Sequence, residues 1–81
     1  MSEREQRLIR CFAAVFPGLT PEEIRATSAE SAGMWDSLAT VMLVAVVQEE
    51  FGVEIDPLQI QYLDSFDAFR NSVGRLSRPE V

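Results

Sequence analysis

Residues Ser37 to Phe51 read SLATVMLVAVVQEEF, and on a 3.6-residue wheel only Ser37, Thr40, Gln48, Glu49 and Glu50 among them are polar. A surface helix needs a single apolar stripe. A helix with apolar side chains over most of its circumference is therefore either central to a bundle or shows apolar surface to a partner. Asp36 or Ser37 can satisfy free backbone amides at its start, and Gly52 can stop it, which bounds this helix at about 37–51. The longest uninterrupted apolar run, Val41 to Val47, is only seven residues, whereas a membrane-spanning helix needs roughly 20. Met1 to Arg7 are mostly polar, so no secretory signature is present, and a soluble, cytoplasmic chain without membrane insertion is expected.

The flanking segments read as shorter, amphipathic helices. Leu8, Ile9, Phe12, Ala13 and Phe16 recur at helical spacing while Arg4, Arg7 and Arg10 take another side, which predicts a first helix over about 3–16, ended by Pro17-Gly18. The long loop that follows contains Thr20-Pro21-Glu22-Glu23, in which Thr20 can cap, Pro21 suits the first helical position and Glu23 closes a capping box. A short turn of helix is expected there. After the apolar second helix, Asp56-Pro57-Leu58-Gln59 opens a short third helix over about 57–62. Ser65 then caps a fourth over about 66–76, with Phe66, Phe69, Val73 and Leu76 on one stripe, and 77–81 reads as a frayed tail. Val53 and Ile55 alternate around Glu54, too short a run to compete as a strand. The fold expected is all-α: one domain, 1–81, with three main helices, a short third helix and a long loop between the first two.

A domain this small buries only about 60% of its unfolded surface, so the core must be compact. Cys11 lies between Ile9 and Phe12 and reads as a small buried hydrophobe. There is no His, no Lys, no second Cys and no glycine-rich phosphate loop, so neither a nucleophile and base pair nor a metal cluster is on offer, and an enzyme is not expected. The net charge is −6 and all seven cations are Arg, none of them between Arg25 and Arg70, where Glu30, Asp36, Glu49, Glu50, Glu54, Asp56, Asp64 and Asp67 fall. Such a field repels nucleic acid and favours a basic protein surface. On charge alone the simpler reading is a solvated acidic surface that keeps the chain soluble.

Trp35-Asp36-Ser37-Leu38, followed one helix later by Glu49-Glu50-Phe51-Gly52-Val53-Glu54-Ile55, resembles the acyl carrier protein family. There an Asp-Ser-Leu opens the second helix, which closes on an acidic end and an Ile-rich exit. The long loop, the two proline-signalled short helices and Ser65-Phe66-Asp67-Ala68 follow the family's order as well, so the resemblance covers nearly the whole chain. It implies that a phosphopantetheinyl transferase attaches 4'-phosphopantetheine from coenzyme A to the Ser37 hydroxyl. The thiol of that arm would carry acyl groups as thioesters. The first turn of a helix suits a phosphodiester, because it offers unpaired amides and the positive end of the macrodipole.

The same resemblance makes Asp36, Leu38, Met42, Glu49 and Glu50 candidates for partner recognition, the partners being the transferase and acyl-loading and acyl-using enzymes with basic docking surfaces. Asp36 can also serve as the N-cap. Leu38 is expected to pack into the core, the alternative being to rim the arm. Trp35 has two open readings, a lid for the loop against the bundle and a wall beside the arm. Fatty-acid carriers usually have acids two and five residues after the serine, where this chain has Ala39 and Met42. A dedicated fatty-acyl, polyketide or lipid-modification pathway is therefore expected, and the carrier is expected to be a monomer. The alternatives are an aminoacyl or peptidyl carrier, although the Gly-Gly-x-Ser run usual in peptidyl carriers is absent, and an unmodified helical module that docks a partner without covalent chemistry.

Overall fold

The structure is a computed structural model and describes residues 3–29 and 35–76. It is helical: α1 (Glu3–Val15), α2 (Pro21–Arg25), α3 (Ser37–Phe51), a 3-10 helix η1 (Pro57–Tyr62) and α4 (Phe66–Leu76). The extended pairing among the described residues is one isolated antiparallel bridge between Ser28 and Ser65. The tail beyond Leu76, and Glu30 within the acidic stretch, lie outside the described residues.

Local chemistry sets the boundaries. α1 buries Leu8, Ile9, Cys11 and Phe12, and although the regular helix stops at Val15, the Phe16 amide still donates to the Phe12 carbonyl at 2.7 Å. Gly18, at φ 98°, then turns the chain. The expected turn inside the loop is α2. The Glu23 amide donates to Thr20 Oγ1 (3.1 Å), the Thr20 amide donates to Glu23 Oε1 (2.9 Å), and Ile24 reaches the core. Gly52 ends α3 in the left-handed conformation, φ 65°, with its amide on the Gln48 carbonyl. Asp56 caps the Leu58 amide at 2.9 Å, yet the third helix is 3-10 rather than α, and none of its residues is fully buried. Six residues with no buried stripe have little packing to hold an α-helical pitch. Ser65 Oγ accepts from the Ala68 amide at 3.0 Å and starts α4.

The core is aromatic at its centre. Phe12 meets Phe66 at 5.2 Å, Phe69 at 5.3 Å and Trp35 at 5.6 Å between ring centroids, all edge-on, and Phe16 at 6.3 Å. Edge-on pairs add about 0.5–1.5 kcal/mol each beyond the area they bury. Leu8, Leu43, Val47 and Val73 complete the core. The stripe expected on α4 holds for Phe66, Phe69 and Val73, while Leu76, in the last turn, is exposed.

The rotation of α3 settles which of its apolar residues are inside. Ala39, Leu43, Val44 and Val47 face the core, where α3 packs against α1. Leu38, Val41 and Met42 face outward at 64%, 58% and 45% exposure. One face of this all-round apolar helix is therefore central to the bundle, and the other presents apolar surface to solvent. The expectation that Leu38 packs into the core is corrected: Ala39, one position on and about 100° round the helix, takes the inward place.

Candidate functional site

The start of α3 is built by Asp36 and Trp35. Asp36 is the N-cap, with extended backbone (φ −113°, ψ −173°), and its Oδ1 accepts from the Ala39 amide at 2.9 Å. Its carbonyl accepts the first helical bond, from the Thr40 amide at 3.1 Å. The amides of Ser37 and Leu38 lie ahead of that bond, at the positive end of the helix. Ser37, first residue of α3, is exposed. Its hydroxyl is thus accessible on a fixed turn of backbone.

Trp35 is packed against the bundle and also borders the space beside Ser37. The indole is only 5% exposed and packs on Phe12 and Phe16 at 5.6 Å and on Phe69 at 6.2 Å, so it closes this end of the loop over the bundle. Its Nε1–H donates to Thr40 Oγ1 at 2.7 Å, and the Thr40 hydroxyl donates to the Asp36 carbonyl at 3.3 Å. The ring also lines a groove of about 370 Å³ with Ser37, Thr40, Val41, Ile60 and Leu63. Across the groove from α3, the segment just after α2 is stapled to the start of α4. The Ala29 amide donates to the Asp64 carbonyl at 2.7 Å, and the Phe66 amide to the Thr27 carbonyl at 3.1 Å.

The remaining candidates separate into two groups. Asp36, Ser37, Leu38 and Met42 share the first two turns of α3, whereas Glu49 and Glu50 lie at its far end. Glu49 is exposed. Glu50 is engaged within the chain: Arg7 donates through Nε to Glu50 Oε2 at 2.8 Å and through Nη2 to the Glu50 carbonyl at 2.6 Å. The same guanidinium lies 4.7 Å from the centroid of the Phe51 ring, and its hydrogen bond to Glu50 raises its pKa. Cys11 is buried, and desolvation, helped by the Glu50 charge, pushes its thiol up to about 11.

Sequence reasoning missed Thr40, Ile60 and Leu63 as parts of the site. Thr40 carried a signal, being the one polar residue between Ser37 and Gln48, five positions from a Trp whose N–H needs an acceptor when buried. Ile60 and Leu63 carried none, since only the packing of η1 against α3 brings them to Ser37. Among the described residues no helix is long and apolar enough to cross a membrane, and no three His, Cys, Asp or Glu side chains gather as a metal site. Comparisons with protein families, with curated proteins and with solved structures give no match.

Proposed function

We propose that this chain is an acyl carrier: Ser37 receives 4'-phosphopantetheine, and acyl intermediates ride on the arm as thioesters within a dedicated pathway. The observation that carries the reading is an exposed serine hydroxyl on the first turn of a capped helix, beside a largely apolar groove. The residues present fit the group. The Ser37 and Leu38 amides can face a phosphodiester, and Asp36, the nearest carboxylate in sequence, accepts from the Ala39 amide, which offsets part of its repulsion of the phosphate.

In the modification step the Ser37 Oγ forms a bond to the pantetheine-bearing phosphorus of coenzyme A. The pyrophosphate P–O bond breaks, adenosine 3',5'-bisphosphate leaves, and the hydroxyl proton passes to a base of the transferase. The arm, once attached, supplies a thiol that holds acyl groups as thioesters. The chain's own residues orient the hydroxyl and flank the arm. The encounter with transferase and acyl-handling enzymes falls to the outward apolar residues Leu38 and Met42, and to an acidic surface without a cation between Arg25 and Arg70.

Incubation with coenzyme A and a promiscuous phosphopantetheinyl transferase, followed by intact-mass analysis, tests this. One phosphopantetheine per chain is expected, and none with Ser37→Ala. No gain in the wild type, or an equal gain in the variant, defeats the reading. The exposed face of α3 also favours a second reading, a module that docks a partner non-covalently. Its mark is a stable complex indifferent to Ser37→Ala and lost with Met42→Glu.

A further inference from the structure

The groove beside Ser37 has a floor as well as a rim. Its most buried lining residues are Trp35 and Leu63, at 5% and 4% exposure, so they form the bottom, while Ser37, Val41 and Gln61 stand exposed at the edge. Behind the indole the space is full: Phe12, Phe16 and Phe69 are in contact with it, and Phe12 and Phe69 are completely buried. The ring is also pinned by its 2.7 Å hydrogen bond to Thr40. Displacing it sacrifices that bond and three ring contacts together. The charged residues that line the groove, Asp36 and Asp64, are both anionic and lie exposed at its rim. A guest bearing its own carboxylate is repelled there, and an uncharged one is not.

We infer that Trp35 sets the length of the cargo: the groove takes an uncharged acyl tail of short to medium length, and the indole stops a longer one from passing into the core. This rests on the carrier reading of Ser37. The tether begins at the groove's edge, and a flexible arm of single bonds and two amides can turn its end back to its own base. With each heavy atom taking roughly the 30 Å³ of a liquid water, a groove of about 370 Å³ holds roughly a dozen of them. The thioester and the end of the arm occupy several, which leaves room for a tail between hexanoyl and octanoyl.

The test loads the full chain from acetyl-, butyryl-, hexanoyl-, octanoyl-, dodecanoyl-, hexadecanoyl- and succinyl-coenzyme A with the promiscuous transferase, checks loading by intact mass, and records Tm against the unacylated holo form. Tm is expected to rise with tail length to octanoyl and then stay level, and succinyl should give less gain than butyryl. Trp35→Leu should move the plateau to longer tails. Because that variant removes core packing, Val41→Trp provides a second arm at an exposed position: it narrows the groove from the rim and should bring the plateau down to butyryl or below. Each variant is compared with its own holo form. A rise that continues to hexadecanoyl in the wild type, a Tm indifferent to length, or a plateau unmoved by Val41→Trp overturns the inference and leaves the carrier reading intact. Failure of any mass gain overturns both.

Discussion

At its C-terminal end α3 is tied down from several sides. Arg7 of α1 bonds the Glu50 side chain and carbonyl and lies over Phe51, Gln48 Oε1 accepts from the Ile55 amide at 2.8 Å, and Gly52 turns the chain away. At its N-terminal end the helix is held from beneath by Asp36 and Trp35, and Ser37, Leu38, Val41 and Met42 are left in solvent. The same segment is thus anchored at one end and accessible at the other. An exposed apolar face is tolerable on a rigid support, because the far end supplies the fixed geometry that the near end does not have to make for itself.

Substitutions at the two ends should behave differently. The largest effect is expected from Ser37→Ala, which should abolish pantetheinylation completely while moving stability by less than about 0.5 kcal/mol; a marked fall in the urea midpoint would mean that the near end is structural after all. Gly52→Ala should do the reverse. At φ 65° an added Cβ meets nothing within 4 Å, so the cost is the left-handed conformation alone, about 1–2 kcal/mol, read from urea unfolding with modification at Ser37 unchanged. Asp36→Ala removes the cap and should cost about 1 kcal/mol. Hydrogen exchange should quicken at the Ala39 and Thr40 amides and not near Phe51.

Two smaller effects probe the anchored end. The folded chain holds the Cys11 proton more tightly than the unfolded chain, since the thiol is raised from 9.0 to about 11. Its contribution is whole below about pH 9 and is lost as pH climbs through about 11. Over that window the urea midpoint of the wild type should fall more steeply than that of Cys11→Ala, and equal slopes would deny the shielding. Arg7→Gln should lower Tm slightly at low ionic strength. The difference should shrink in high salt, as for any solvent-facing ion pair.

The boundaries of the fold were legible because they are local. Thr20 with Glu23, Asp56, Ser65 and Gly52 each act on backbone groups within a few residues, and all of them cap or stop a helix where their residue types predict. The rotation of α3 was not legible. An amphipathic helix such as α1 announces its buried side, but a helix apolar on every side leaves that choice to its neighbours, which is why Leu38, expected in the core, faces outward. The Arg7–Glu50 pair, 43 residues apart, and the placing of Ile60 and Leu63 in the groove are likewise products of tertiary packing. Ser37 and Asp36 were legible as the start of a helix, whereas the floor beneath them was not.

The burial of Cys11 has a chemical consequence beyond packing. A thioester is an activated acyl group, open to capture by any neighbouring amine or thiolate. This chain has no lysine, and its single cysteine is enclosed and, with its pKa near 11, protonated at neutral pH. On the carrier reading, cargo held at Ser37 has no lysine amine and no exposed cysteine thiolate among these 81 residues to migrate to. Its lifetime is then governed by water and by the enzymes that meet it.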